Sequence, residues 1–218
     1  IDAGTFKRIP IRTRVVMPGD DRDAVVSEYA QGVVEPGDIL FVTEKIVAIT
    51  QGRSYALDEI QPRSLARFLS RYVTKTSYGI GLGMPETMEM ALRECGTPRI
   101  LFAAAVSAVT KLFGRRGDFY RIAGDKARSI DGPTDGTIPP YDRAVVLGPT
   151  EPDAVAARLK ALLGTPDAVA VVDINDIGGN ILGSTLDRAG EQQLVRILSD
   201  NPLGQGRQAT PMGIIRRA

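Results

Sequence analysis

The spacing of apolar and polar positions predicts a mixed α/β protein. Short apolar runs bounded by turn residues indicate strands, at residues 9–17, 39–42, 144–147 and 168–172. Apolar residues at helical spacing indicate helices, over residues 21–30, 62–73 and 188–199, with a further helix opening at Pro85. Residues 100–113 are ambiguous, because their alanines favour a helix and their β-branched residues a strand; a helix is predicted over most of them. Residues 45–50 are rich in β-branched side chains, which favour a strand.

The best-defined unit of the pattern lies in the second half of the chain. After strand 144–147, the sequence Thr-Glu-Pro-Asp at 150–153 is typical of a helix start, because the first turn tolerates proline. The helix should end at Gly164 and lead into strand 168–172. A strand, helix and strand within about 30 residues predict a βαβ unit with parallel strands.

The chain is predicted to form a single domain over residues 1–218, with one possible subdivision. The Pro- and Gly-rich stretch 131–140 could separate an N-terminal part, 1–130, from a βαβ part, 141–218. Residues 201–213 are also rich in Gly and Pro and predict a surface loop. That loop could close over a ligand or pack on a partner subunit.

Charge and cysteine content limit the class of protein. The 27 Lys and Arg nearly balance 26 Asp and Glu, which argues against a nucleic-acid partner because such proteins usually carry a basic excess. The single cysteine cannot form an intrachain disulfide. The longest apolar stretch, 100–109, is far shorter than the roughly 20 residues of a membrane span. A cytoplasmic protein with no membrane segment is expected.

The absence of histidine restricts the chemistry further. It excludes Ser-His-Asp and Cys-His catalysis and every zinc site that uses histidine. One cysteine also excludes thiolate metal clusters. A metal would therefore need oxygen ligands, which suit Mg²⁺ or Mn²⁺.

The strongest candidate site follows the apolar strand that ends at Val172. Two acids, Asp173 and Asp176, are expected to bind metal there, and Asn175, Gly178 and Gly179 to bind nucleotide or substrate. Ligands of open α/β sheets gather at the carboxyl ends of strands, and glycine lets a backbone approach closely. The alternative is a capped turn, because Asp and Asn favour turns.

A second candidate is the charged pair Glu44-Lys45, which interrupts an apolar run. Charged side chains are seldom buried without a partner. The pair is therefore either a hairpin tip in water or part of a polar site.

A third candidate clusters five charged residues around Gly124, namely Arg121, Asp125, Lys126, Arg128 and Asp131. Arg121 and Lys126 could bind phosphate, and Asp125 and Asp131 could bind a second metal. The alternative is a solvated face of mixed charge.

Several segments resemble the F420-0:gamma-glutamyl ligase family. They are Arg-Ile-Pro-Ile-Arg-Thr-Arg at 8–14, Pro-Gly-Asp-Asp at 18–21, the run from Pro-Gly-Asp to Lys-Ile-Val at 36–47, and Gln-Gly-Arg at 51–53. Two family motifs differ. Residues 104–110 replace an Ala-Gly-Val-Asp-x-Ser-Asn segment, and 172–178 replace Ser-Asp-Thr-x-Gly-Arg-Pro. Asp173 matches the aspartate of the second motif, and Asp125 or Asp131 is the candidate substitute for that of the first.

The resemblance implies a divergent ligase of this fold. Such an enzyme would use GTP and two Mg²⁺ or Mn²⁺ ions to join L-glutamate to F420-0 or a related substrate through an acyl phosphate, and would be a homodimer. Glu44 would bind nucleotide or substrate. Lys45 and Arg53 would supply positive charge near the phosphates, and a carboxylate would accept the amine proton. The alternatives are a non-catalytic binding or regulatory protein and another metal-dependent phosphotransferase.

Overall fold

The computed structural model describes residues 6–73, 81–115, 117–134, 136–175, 178–204 and 207–218. The strands are β1 Phe6–Ile11, β2 Ile39–Thr43, β3 Ser54–Ala56, β4 Ala144–Val146, β5 Ala168–Asn175, β6 Gly178–Ser184 and β7 Met212–Arg217. The helices are α1 Arg22–Ala30, α2 Glu44–Thr50, α3 Ser64–Ser70, α4 Pro85–Glu94, α5 Thr97–Leu112, α6 Asp118–Ala123, α7 Asp125–Arg128, α8 Pro152–Leu163 and α9 Arg188–Ile197. Short 3₁₀ turns lie at Leu57–Glu59, Gly81–Gly83 and Tyr141–Arg143.

The chain forms two compact units. The first combines Ile1–Arg53 with Pro149–Ala218, and the second is Ser54–Gly148. The stretch 131–140, which the sequence suggested as a boundary, lies inside the second unit. The prediction of a single domain over the whole chain stays a prediction.

The first unit is built on a five-stranded sheet in the order β1-β7-β2-β5-β6. The β2–β5 pair is parallel and the other pairs are antiparallel. Alternate residues of β2 and β5 face opposite sides of the sheet, and both sides are buried. On one side, Phe41 and Val172 belong to the same buried cluster as Leu194 of α9.

Helix α8 packs closely on β5 and β6. A Cβ atom on Gly183 would lie 2.3 Å from the backbone N of Asp153, so this strand position has no room for a side chain. Ser184 N–H donates to Asp153 Oδ1 at 3.0 Å. The start of α8 is thereby fixed on β6.

The second unit contains the antiparallel pair β3–β4 and the helices α3 to α7. Its core includes Leu82, Met88, Ile100 and Val145, each fully buried. Glu89 of α4 is buried with them, and both Arg63 and Arg93 donate to its Oε1 at 3.0 Å. The carboxylate is tolerated in the core because two guanidinium groups reach it.

The prediction of mixed helices and strands is confirmed, but the βαβ unit is wrong. Strand, helix and strand do follow in that order, yet β4 pairs antiparallel with β3, whereas β5 belongs to the five-stranded sheet. The parallel partner of β5 is β2. A local pattern identifies each strand, but strand pairing is decided by packing between segments distant in sequence.

The predicted strand at 45–50 is also wrong, because these residues form α2. Its β-branched residues favour a strand when exposed on a half-buried sheet, but Ile46–Ile49 are all buried here. A short helix that is apolar all round is stabilised by burial rather than by intrinsic propensity.

Two further boundaries differ. The first strand ends at Ile11 instead of residue 17, and the predicted loop 201–213 gives way to β7 at Met212.

A buried ion pair ties β7 to the start of β2 and predicts acid sensitivity. Arg216 donates through Nε and Nη2 to the two carboxylate oxygens of Asp38, at 2.9 and 2.8 Å. Burial would raise the pKa of Asp38, but Arg216 and the backbone N–H of Glu35 outweigh it and hold the pKa below its usual value. A carboxylate with a depressed folded-state pKa stabilises the fold above its unfolded pKa of about 3.9.

We expect Asp38→Asn to lower the free energy of unfolding by about 3 kcal/mol at pH 7. The difference from the parent protein should shrink as the pH falls from about 4 through the folded-state pKa. Urea unfolding between pH 7 and 3 measures this, with the exposed Asp58→Asn as control. A difference that is independent of pH would contradict the role given to this pair.

Candidate functional site

The carboxyl ends of the two parallel strands bring a pair of carboxylates to one edge of the sheet. Thr43 of β2 is the register partner of Val172 of β5. The residue that follows each of this pair is acidic. Glu44 follows Thr43 and begins α2, and Asp173 follows Val172 within β5. Both residues were predicted from the sequence to belong to the site. They are 129 positions apart in the chain, yet the strand register brings their backbones to the same edge of the sheet.

The outer strands complete the same edge. Because β7 is antiparallel to both β1 and β2, its first residue, Met212, lies beside Ile11. The backbone continues this pairing beyond the strands: Thr13 N–H donates to Ala209 O and Thr43 N–H to Pro211 O, both at 2.9 Å. We call the set Thr13, Glu44, Lys45, Asp173 and Pro211 the carboxyl edge. Residues 209–211 belong to the segment 201–213, which the sequence suggested could close over a ligand or pack on a partner subunit.

Glu44 and Lys45 occupy the first turn of α2, directly after β2. Both side chains are half-buried, and Oε2 of Glu44 is buried. The four residues that follow are all buried and anchor the turn. The alternative of a hairpin tip is therefore wrong, since Lys45 belongs to a helix at the end of a central strand.

Beyond Asp173, β5 and β6 form an antiparallel ribbon. Asp173 pairs with Asn180, and Asn175 with Gly178, while Asp176 lies outside the described residues. A Cβ on Gly179 would lie 2.4 Å from Cδ1 of Ile174. The glycine at this position thus makes room for a cross-strand side chain. Exposed Asn180, which sequence reasoning missed, is placed beside Asp173 by the hairpin register.

The Gln-Gly-Arg segment ends α2 and lies where the chain leaves the first unit. Gly52 has a φ of +70°, which favours glycine at a helix end. Arg53 is half-buried, and its N–H donates to Ala48 O at 2.9 Å. Gln51 exchanges two hydrogen bonds with the backbone of Thr150, at 2.9 and 2.8 Å. Gln51 thereby links the segment at which the chain leaves the first unit to the segment at which it re-enters that unit.

The candidates near Gly124 lie in the second unit and have local partners. Arg121 Nη1 is 3.3 Å from Asp118 Oδ1, and Lys126 Nζ is 3.5 Å from Glu94 Oε1. Both basic side chains are largely exposed. These contacts fit the alternative of a solvated, mixed-charge face, and the phosphate-binding roles stay predictions.

The two acids of that group are also separately placed. Asp125 is highly exposed, with Oδ1 3.3 Å from Arg128 Nη1. Asp131 exchanges backbone hydrogen bonds with Val146, at 2.8 and 2.9 Å. Their roles as metal ligands stay predictions.

The donors at the carboxyl edge suit a hard cation. Within the described ranges, no three acidic or cysteine side chains converge as a metal cluster. Glu44 and Asp173 supply carboxylate oxygens of the kind that Mg²⁺ and Mn²⁺ prefer, often with one or two carboxylates completed by substrate phosphates. The residue types present therefore fit a hard divalent cation.

A shallow groove of about 380 Å³ adjoins this edge within the first unit. It is lined by Asn180 and Ile181 of β6 and by residues of α9, among them Arg188, Glu191, Gln192 and Arg196. Its two guanidinium groups suit an anionic ligand.

Helices of membrane-spanning length and hydropathy are not found in the part of the chain that the structure describes.

The fold and site define a mixed α/β protein in which an acidic residue follows the last paired residue of each of the two parallel strands. The family model of F420-0:Gamma-glutamyl ligase matches residues 10–182, and the chain belongs to this family. A relative, "Coenzyme F420:L-glutamate ligase" of Methanopyrus kandleri, is 27% identical over 164 residues, covering 73% of this chain and 56% of the relative. The chain thus spans little more than half of that relative's length. The family predicted from sequence is confirmed.

Proposed function

We propose that the protein is a ligase that joins L-glutamate to the carboxylate of F420-0 or a related substrate, using GTP. Family membership supports the class of reaction. The observation that supports the site is the β2–β5 register, which ends with Thr43 beside Val172. Glu44 and Asp173 directly follow these paired residues, and Lys45 follows Glu44. This arrangement combines metal-binding oxygens with a cation for phosphate.

The proposed reaction proceeds in two displacements. A carboxylate oxygen of the substrate attacks the γ-phosphorus of GTP, the bond to the GDP oxygen breaks, and an acyl phosphate forms. The α-amine of glutamate then attacks the acyl carbon and releases phosphate. Because the chain has no histidine, a carboxylate accepts the proton that the amine loses.

The chain's own residues position the phosphates in this scheme. Glu44 and Asp173 would hold Mg²⁺ or Mn²⁺, which would neutralise phosphate charge when bound. Lys45 would donate to a phosphate oxygen, and Arg53 would contribute positive charge. The groove lined by Arg188 and Arg196 would bind a substrate carboxylate. We further propose that the working assembly is a homodimer.

A second candidate function, ligand binding without ligation, is favoured by the observation that residues 104–110 lie in α5 and carry no acid. Purified protein supplied with F420-0, glutamate, GTP and Mn²⁺ distinguishes the two. Phosphate release that depends on glutamate, with a product heavier by one glutamate residue, supports the ligase. Nucleotide binding without phosphate release supports the binder, and a phosphorylated product without an amide supports a phosphotransferase.

Lys45→Met tests the proposed phosphate contact. Loss of a charge-assisted hydrogen bond, worth about 1.5–3 kcal/mol, should weaken nucleotide binding roughly 10- to 150-fold. Calorimetric titration with GTP measures the affinity. Lys7→Met provides a matched control, because Lys7 lies near the start of β1, at the opposite edge of the sheet. Unchanged affinity and turnover in Lys45→Met would remove Lys45 from the site.

A further inference from the structure

Helix α5 is apolar on two opposite sides. One side supplies Ile100, Ala103 and Ser107 to the interior of the second unit. The other side exposes Leu101, Phe102, Val109 and Leu112, and the exposed Phe113 directly follows the helix. A helix that is apolar all round is typical of one buried on every side, so the exposed side of α5 is expected to be covered.

Helix α3 extends this exposed side. Phe68 and Tyr72 are both exposed, with their ring centroids 5.1 Å apart. Lys111 Nζ of α5 donates to Tyr72 O at 3.4 Å, which brings the end of α3 to the last turn of α5. We call the combined surface the apolar face; its large residues are Phe68, Tyr72, Leu101, Phe102, Val109, Leu112 and Phe113.

The area of the apolar face is that of a protein interface. Phe68, Tyr72, Phe102 and Phe113 are 54%, 67%, 62% and 79% exposed. At about 200 Å² per aromatic residue they present roughly 500 Å², already within the roughly 300–600 Å² of the largest patch on a typical monomer. The three aliphatic residues bring the total close to the roughly 800 Å² that each partner contributes to a stable complex.

The order of residues along α5 suits a second copy of the same helix. Three pairs of residues are placed symmetrically about Ser107 in the sequence. The pairs are Leu101 with Phe113, Phe102 with Leu112, and Ala105 with Val109. In a dimer whose two-fold axis passes beside the middle of α5, each of these residues would face the other member of its pair in the second copy. Both members are apolar, as a self-complementary isologous interface requires. Exposed Ala105 is small enough to let the helices approach closely. The cations near the C-terminal end, Lys111 and Arg115, would lie apart in such an antiparallel pair.

We propose that the apolar face is the surface through which two copies of this chain associate, with their α5 helices antiparallel. The proposal locates the interface of the homodimer and is independent of the proposed ligase activity. A binding-competent but inactive protein would still use it.

Sedimentation velocity of the protein over a wide concentration range tests the proposal. The parent protein should have twice the mass of one chain. Leu112→Asp, at a position 85% exposed, should raise the dimer dissociation constant roughly 30-fold or more without changing the circular dichroism spectrum. Leu162→Asp, an exposed leucine of α8 in the first unit, is the matched control and should remain dimeric.

Cross-linking tests the antiparallel arrangement. In a Cys95→Ala background, Ala105→Cys should give a covalent dimer with a short bismaleimide, whereas the control Ala157→Cys, at an exposed alanine of α8, should not. A parent protein that is monomeric, or a Leu112→Asp variant as dimeric as the parent, would overturn the proposal. So would a monomer that binds phosphatidylserine vesicles and loses that binding in Leu112→Asp, because the face would then serve a membrane.

Discussion

Asp173→Asn is expected to abolish metal-dependent nucleotide binding while leaving the melting temperature nearly unchanged. The side chain is half-buried at the end of β5, where it neighbours Glu44 through the strand register. Asparagine has nearly the same shape but lacks the charge that holds a divalent cation. Ligation should fall on the order of 10²- to 10³-fold, as when one preorganised electrostatic group is lost.

The same substitution at the other end of β5 is the matched control. Asp167 directly precedes the strand, and its Oδ1 accepts from Gly37 N–H at 3.1 Å. Asparagine retains an acceptor oxygen there, so Asp167→Asn should retain nucleotide binding. Titration with GTP, with and without Mn²⁺, and a thermal melt decide the matter. A large loss of stability in Asp173→Asn with retained metal-dependent binding would show that Asp173 is structural.

The sequence identified charged residues of the carboxyl edge but not how the strands bring them together. Asp173 was identified because it follows an apolar strand, and Glu44 and Lys45 because charges interrupt an apolar run. That the first two lie together depends on the parallel pairing of β2 with β5. A βαβ interpretation instead assigned β5 to a neighbour in sequence. Pairing between distant segments depends on how apolar faces pack in three dimensions. The local pattern of apolar and polar residues contains no information about that packing.

Secondary structure was predictable where periodicity and end signals agreed. Helix α8 has proline at its start and Gly164, with a φ of +67°, at its end, and the prediction for it is confirmed. Helix α2 had no such signals, and its β-branched residues pointed to a strand. Burial of Ile46–Ile49 determined the outcome, as tertiary context often overrides propensity.

The charged residues around Gly124 show that residue type and sequence spacing do not reveal which side chains form ion pairs with each other. Their residue types would suit phosphate and metal, yet Arg121 and Lys126 each lie against a nearby carboxylate. Asp118, the partner of Arg121, has its pKa held below the usual value mainly by a hydrogen bond from Arg115. Sequence spacing alone could not separate such ion pairs from a ligand site.

The C-terminal strand was absent from the sequence-based fold. Residues 201–213 predicted a loop, and the family match ends at residue 182. The structure nevertheless inserts β7 between β1 and β2. Ile214 pairs with both Ile9 and Leu40 and is fully buried. Without β7, the strand that leads to Glu44 would lose its neighbour on one side.

Ile214→Asp is therefore expected to unfold the protein. It removes a buried apolar side chain, worth about 1.5–3 kcal/mol, and buries a carboxylate among apolar neighbours. We expect a total loss of about 5 kcal/mol or more, comparable with a net stability of about 5–15 kcal/mol. Ile214→Val should cost only about 0.5–1.5 kcal/mol. Val33→Asp, at an exposed position of the same unit, should change stability by under about 0.5 kcal/mol. Circular dichroism and urea unfolding measure all three, and a folded Ile214→Asp variant with parent-like stability would contradict a central position for β7.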